Sequence, residues 1–216
     1  MPDTDRIVEE AFREYLETRA PKGHMERVAQ QLASGCSFRA EIRSALADDY
    51  AFAKEDLLDL IIYFIGFCIA DHVLTLEKVR AVVRLRRLLG IEDGDLFSLR
   101  RREVEELVER ELTRLLADGR LDPHGARYQA ALQEVLGLGY DEWLKLTRPA
   151  VGRIVRASLD ELRGAGAPTD RDRRAFLDRL FALDTVYVLS QEESDIVLGR
   201  RGAESQAPDL RSEKLN

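Results

Sequence analysis

The chain has 216 residues, of which 45% are hydrophobic and 34% charged, with a formal net charge of −7. That length buries a core without disulfide or metal staples. The heavily ionised, net acidic composition describes a soluble globular protein and argues against general affinity for nucleic acid or anionic lipid. Of the two cysteines, Cys68 lies inside an apolar run, the usual place of a buried reduced thiol, which points to a reducing, cytoplasmic compartment.

The opening Met1-Pro2-Asp3-Thr4-Asp5 lacks a basic-then-apolar leader. Over residues 4–19, Ile7, Val8, Ala11, Phe12, Tyr15 and Leu16 recur three and four apart, which predicts an amphipathic helix ended by Pro21-Lys22-Gly23. Short helices are predicted at 24–33 and 37–47, on either side of Ser34-Gly35. Lys54 to Ala70 is apolar almost throughout and reads as the central helix. Its purest stretch, Leu57 to Ala70, contains Asp59 and is too short to span a bilayer. Thr75 caps the next helix, whose inner stripe is Val79, Val82, Val83, Leu85, Leu88 and Leu89. A loop over Gly90–Asp95 precedes a helix over 98–117, with Val104, Leu107, Val108, Leu112, Leu115 and Leu116 inward and ion pairs outward.

Asp122-Pro123 is a strong helix start, because Asp caps the free amides and Pro at the first helical position gives up no useful donor. That helix runs to Leu136 and closes at Gly137-Leu138-Gly139. A further helical stretch covers 140–163, with Pro149 kinking or dividing it. Trp143, near its start, is read as sealing the core rather than as a partner anchor. After the loop Gly164–Pro168, Thr169 and Asp172 form an acidic variant of the capping box for a helix to about Leu183, and Ser190 and Glu193 form another for a short last helix. Residues 200–216 are polar and punctuated by Gly and Pro, a composition that predicts disorder. No window alternates with period two, so the fold class is all-α.

One stretch nearly repeats after 47 residues. Ile69-Ala70-Asp71-His72-Val73-Leu74 aligns with Leu116-Ala117-Asp118-Gly119-Arg120-Leu121, and the match continues through Leu85, Leu89 and Gly90 against Leu132, Leu136 and Gly137, ending at Leu99 against Leu146. Eight of these 31 aligned pairs are identical, whereas unrelated segments would share about two, so duplication is the better account. Each unit reads as a helix end, an Asp-containing turn, a second helix and a Gly-marked exit. Helices of this length rise ~22–30 Å, so antiparallel packing with short turns brings both Asp turns to one end of the bundle. The organisation expected is N-terminal helices over 1–53 on a duplicated core at 54–163, then C-terminal helices over 164–199 of the same domain and a tail at 200–216.

The Asp-turn end gathers Asp71, His72, Glu77, Asp118, Asp122 and His124. Carboxylates with imidazole suit a divalent cation, and the same residues equally serve as helix ends and caps. The EF-hand pattern is absent, since a loop opening at Asp118 has Pro123 where Gly is needed and Gln129 where Glu is needed. No catalytic constellation is visible: nothing in the spacing joins Cys36 to His24, and no phosphate-cradling Gly loop or paired-cysteine metal motif occurs. The basic residues Lys78, Arg80, Arg84, Arg86, Arg87 and Arg100–Arg102 are followed at once by Glu103, Glu105 and Glu106, which reads as an ion-paired, solvated face.

On the doubled turns Ile69–Glu77 and Leu116–Pro123, with the exits Leu89-Gly90-Ile91 and Leu136-Gly137-Leu138, the sequence resembles the TerB-like family of tellurite-resistance and stress-response proteins. The resemblance covers roughly 54–163. It implies an all-helical, internally duplicated module that works by protein contact in a bacterial stress or defence pathway, with surface association at a membrane compatible with it. It also implies, as the alternative, a divalent-cation sensor or carrier using Asp71, Glu77, Asp118 and Asp122, with His72 and His124 as additions. Relative to the family pattern, His72 and Lys78 replace expected residues in the first unit, and His124 and Gly125 stand where Glu is expected in the second.

Overall fold

Apolar residues three and four apart dominate the chain, and they fold as helices. The structure, a computed structural model, describes residues 3–36, 38–46, 54–117, 123–164, 169–182 and 189–198. Among the described residues there are eleven helices and no strand, so the protein is all-α. Two compact units divide the chain, Met1–Thr147 and Arg148–Asn216. No helix is long and apolar enough to cross a membrane among the described residues.

The first unit holds α1 (Asp3–Arg19), α2 (His24–Ala33), α3 (Arg39–Leu46), α4 (Lys54–Ile69), α5 (Leu76–Leu89), α6 (Asp95–Leu99), α7 (Arg101–Ala117) and α8 (Pro123–Leu136), together with the start of α9 (Tyr140–Gly164). The near-continuous apolar run of α4 buries Leu57, Leu58, Leu60, Ile61, Phe64, Ile65, Cys68 and Ile69, which makes it a core helix. Phe12 of α1 stacks on Phe64 at 5.9 Å between ring centroids, and Tyr15 meets Tyr63 edge-on at 4.7 Å. The α5 helix packs against α1, α3, α4 and α8. Trp143 is buried, as a core seal requires.

Local chemistry sets the ends. Thr75 caps α5, its hydroxyl accepting from the Lys78 amide at 3.3 Å. At the exit, Gly90 takes the left-handed region, the Ile91 amide donates to the Arg86 carbonyl at 2.8 Å and the Gly90 amide to Arg87 at 3.2 Å. The same closure recurs at the exit of α8, where Gly137 has φ 61°, Leu138 donates to Gln133 at 3.1 Å and Gly137 to Glu134 at 3.0 Å. Every residue of the second set lies 47 positions after its counterpart in the first.

Two expectations need correction. The helix predicted over 98–117 is broken at Arg100, between α6 and α7, where φ is −135°. The break turns the Arg100 guanidinium onto α4, where Nε donates to Asp59 at 2.9 Å, Nη1 to Glu55 at 3.2 Å and Nη2 to the Glu55 carbonyl at 3.1 Å. Arg86, expected on a solvated basic face, is buried at 5% exposure, because it falls on the inner stripe of α5 between Val82 and Leu89. Its neighbours fit the ion-paired reading: Arg84 bonds Asp5, Arg101 bonds Glu105 and Arg102 bonds Glu106.

In the second unit, Pro149 sits inside α9 without dividing it, and α10 (Asp170–Ala182) and α11 (Gln191–Leu198) follow. Both predicted boxes form. Asp172 and Thr169 exchange bonds at 3.0 and 3.3 Å, and Glu193 and Ser190 at 2.7 and 3.2 Å. Of the predicted loop Gly164–Pro168, Gly164 instead ends α9, and 165–168 lie, like the tail at 200–216, outside the described residues.

Candidate functional site: the turn end of the first unit

The turn between α4 and α5 is tied by its own polar groups. The His72 amide donates to the Ile69 carbonyl at 2.8 Å, and His72 takes φ 60°, a left-handed conformation open to His at modest cost. Its aligned residue in the sequence is Gly119, and glycine is the residue type for which that region carries no steric penalty. Asp71 closes the turn: Oδ1 accepts from the Val73 amide at 3.0 Å, and Lys78 Nζ donates to both carboxylate oxygens at 2.7 and 2.6 Å. Lys78 also bonds the Val73 carbonyl at 3.0 Å. The bond from Lys78, followed by the Val73 amide, outweighs desolvation and holds the Asp71 carboxyl below its usual range.

The sequence-predicted ligands are thus placed unequally. Asp71 is engaged by Lys78, and Glu77 is exposed in the first turn of α5, its carboxyl lowered by its own backbone amide and by Thr75. Asp118 and Asp122 lie outside the described residues, as does the side chain of His124. Among the described residues, no three or more His, Cys, Asp and Glu groups converge as metal ligands. His24 bonds Asp56 at 2.7 Å, whereas the Cys36 thiol donates to the Phe38 carbonyl at 3.5 Å.

His72 instead faces a residue that the sequence reading passed over. Its Nδ1 lies 3.5 Å from Glu111 Oε2 on α7, and Glu111 is 1% exposed. Four groups surround this carboxylate. Tyr128 of α8 donates its hydroxyl at 2.7 Å, Arg110 and Arg114 donate their Nε at 3.3 Å each, and His72 completes the ring. Arg114 also lies over the Tyr128 ring, 5.4 Å from its centroid. Desolvation pushes the Glu111 carboxyl up, but the Tyr128 and Arg110 bonds and the Arg114 and His72 charges prevail, so it sits below the usual range. Burial first, and the Glu111 bond second, push the Tyr128 phenol well above its ordinary value. A signal was available in the sequence: Glu111 occupies the inner stripe of α7, three residues after Val108 and four after Leu107.

Beside this cluster opens a cleft of about 360 Å³. The α4–α5 turn contributes His72, Val73 and Leu74, the end of α7 Arg114 and Leu115, and the start of α8 Gly125, Arg127 and Tyr128. The α4–α5 turn, the end of α7 and the start of α8 therefore share one space. Of the lining residues Val73 is 52% exposed, and Leu76, three residues on at the start of α5, is 57% exposed. Glu111 is saturated by donors and Tyr128 keeps its proton, so neither is set up as a general base. Among the described residues the lining holds no Cys, Ser or Lys. Compared with known proteins, the chain matches no family model, no curated protein and no solved structure.

Proposed function

We propose that the protein is a non-catalytic helical interaction module whose working surface is the turn end of the first unit, where a partner protein docks on the Val73–Leu76 lip and the adjoining cleft. The observation that carries this reading is half-exposed Val73 in the wall of a cleft that Leu74 and Leu115 also line, with half-exposed Leu76 three residues on at the start of α5. Both side chains are about half exposed, so covering each is worth about 1 kcal/mol. The buried Glu111 cluster beneath supports the surface, fixing the α4–α5 turn against α7 and α8. A duplicated hairpin in the TerB-like manner is the organisation this reading adopts, supported by the closures repeated at Gly90 and Gly137. With it goes a place in a bacterial stress or defence pathway, in the cytoplasm.

A photoreactive residue at Val73 tests the proposal in cells, with one at Phe38, which is 67% exposed outside the cleft, as control. A discrete cross-linked product from Val73, weakened by Leu76→Ser, is expected. Equal, diffuse labelling from both positions would overturn the reading. The cation alternative has no comparable support, because both oxygens of Asp71 are held by Lys78.

A further inference from the structure

Resting on the docking reading above, we infer that the occupant of the cleft is an acidic as well as apolar segment: an extended stretch of a partner protein in which a Glu or Asp side chain lies beside aliphatic ones. Charge complementarity makes the assignment. The polar side of the cleft is cationic, formed by Arg114 and Arg127, with His72 on the facing turn. The buried carboxylate beside it, Glu111, is already met by Tyr128, Arg110 and Arg114. Arg127 is exposed, and among the described residues no carboxylate pairs with it. The chain as a whole carries −7, so its general field repels acidic partners and a local excess of positive charge is what admits one.

Three classes of occupant can be weighed against this geometry. A small free anion meets Arg127 but leaves Val73 and Leu76 in water. A neutral or basic apolar segment covers the lip but removes water from Arg127 without supplying a counter-charge, which is unfavourable. A segment that alternates carboxylate and aliphatic side chains satisfies both halves at once. The aliphatic groups sit on Val73 and Leu76 and the carboxylate turns inward to Arg127, where guanidinium geometry favours a paired contact.

The test is selection from a random peptide display library on the immobilised full-length chain, run in parallel on Arg127→Glu and on the double variant Val73→Ser, Leu76→Ser. All three positions are exposed, and a thermal melt by circular dichroism confirms that each variant is folded. The wild type is expected to enrich peptides with Asp or Glu next to Leu, Ile or Val. The best of them, synthesised, should lose about tenfold or more in affinity on Arg127→Glu or on its own Glu→Gln change, less on Arg127→Lys, and should weaken as salt rises. Enrichment of apolar peptides with no acidic preference, indifferent to Arg127→Glu, overturns the acidic occupant and leaves the docking surface standing. No enrichment, or enrichment untouched by the double variant, overturns the docking surface itself. Inorganic phosphate that binds at millimolar concentration with no peptide selected marks a free-anion site, which also overturns the inference.

Discussion

The guanidinium of Arg86, on α5, lies against Gly137 at the exit of α8 and leaves no room there for a β-carbon. Its Nη2 donates to Asp93 at 2.6 Å and its Nη1 to the Glu134 carbonyl at 3.3 Å. A further bond, from the Gly94 amide to the Gly137 carbonyl at 3.0 Å, ties the loop after α5 to the same exit. Two Gly-marked helix ends, far apart in sequence, are thus joined by one buried cation. Arg39 lies over Gly90 in a similar way, but Arg39 is exposed.

That difference separates two otherwise equivalent substitutions. Both glycines have positive φ, so replacement by Ala costs about 1 kcal/mol from the left-handed backbone alone. At Gly90 the added methyl displaces the guanidinium of an exposed Arg39, whose contacts water can replace, and the total should stay nearer that figure. At Gly137 it evicts Arg86 from a buried site and breaks its bonds to Asp93 and Glu134, adding about 1–3 kcal/mol. Urea denaturation should therefore rank Gly137→Ala well below Gly90→Ala in stability. Equal losses would show that Arg86 is free to relax.

Tyr128→Phe should be destabilising by about 1.5–3 kcal/mol near neutral pH, because it removes the 2.7 Å donor from a carboxylate that is almost fully buried. The sign of its pH dependence follows from linkage. The Glu111 carboxyl is lowered in the folded state from an ordinary value of 4.5, so its contribution is present above that value and is lost as pH falls through the folded-state value. The gap between wild type and Tyr128→Phe should accordingly be widest above about pH 5 and narrow on acidification below the usual carboxylate range. A gap that widens toward acid in paired denaturation curves would contradict this sign.

What the residues disclosed in advance was local. Thr75, the Thr169–Asp172 and Ser190–Glu193 boxes and the Gly90 and Gly137 exits act within one helical turn, so sequence spacing suffices to find them. Glu111 and Arg86 were harder because each is a charge on an inner stripe whose partners come from other segments. Tyr128 follows Glu111 by 17 positions, and Glu134 follows Arg86 by 48. Charge placed Arg86 outside and left Glu111 unremarked, yet both stand three and four residues from buried apolar neighbours and both are buried. The Arg100 break was invisible for the same reason, its cause being Glu55 and Asp59 on α4. The expected meeting of Asp71 with Asp118 falls on residues outside those described, and what the structure shows there is His72 and Val73 sharing a cleft with Arg114 and Tyr128. The chemistry of the turn was not legible, because Lys78 engages Asp71, the first of the carboxylates read as ligands.

Calorimetric titration with calcium, manganese and zinc bears directly on that carboxylate. An ammonium group bonded to both oxygens of Asp71 must be displaced before a cation can enter, so wild-type protein should give no saturable heat at micromolar metal. Saturable binding by wild type that disappears in the Asp71→Ala, Asp118→Ala double variant would restore the cation reading.

The two thiols should differ sharply in alkylation, and for different reasons. Cys68 is fully buried on α4, and burial, with Lys78 and Asp71 as opposing minor influences, pushes its thiol up to about 12. Cys36 is half-buried, and burial together with the bond to Glu41 pushes its thiol up to about 11. Since the thiolate is the reacting form, Cys36 at pH 8 should label about two hundredfold more slowly than an unperturbed thiol of pKa near 8.5, of which about a quarter is ionised. Cys68 requires opening of the α4 core as well, so its labelling should track global unfolding and accelerate with urea. Iodoacetamide labelling read by mass spectrometry should therefore show one slow addition in native buffer and a second that appears only across the unfolding transition. Rapid double labelling under native conditions would mean that α4 is not held in the core.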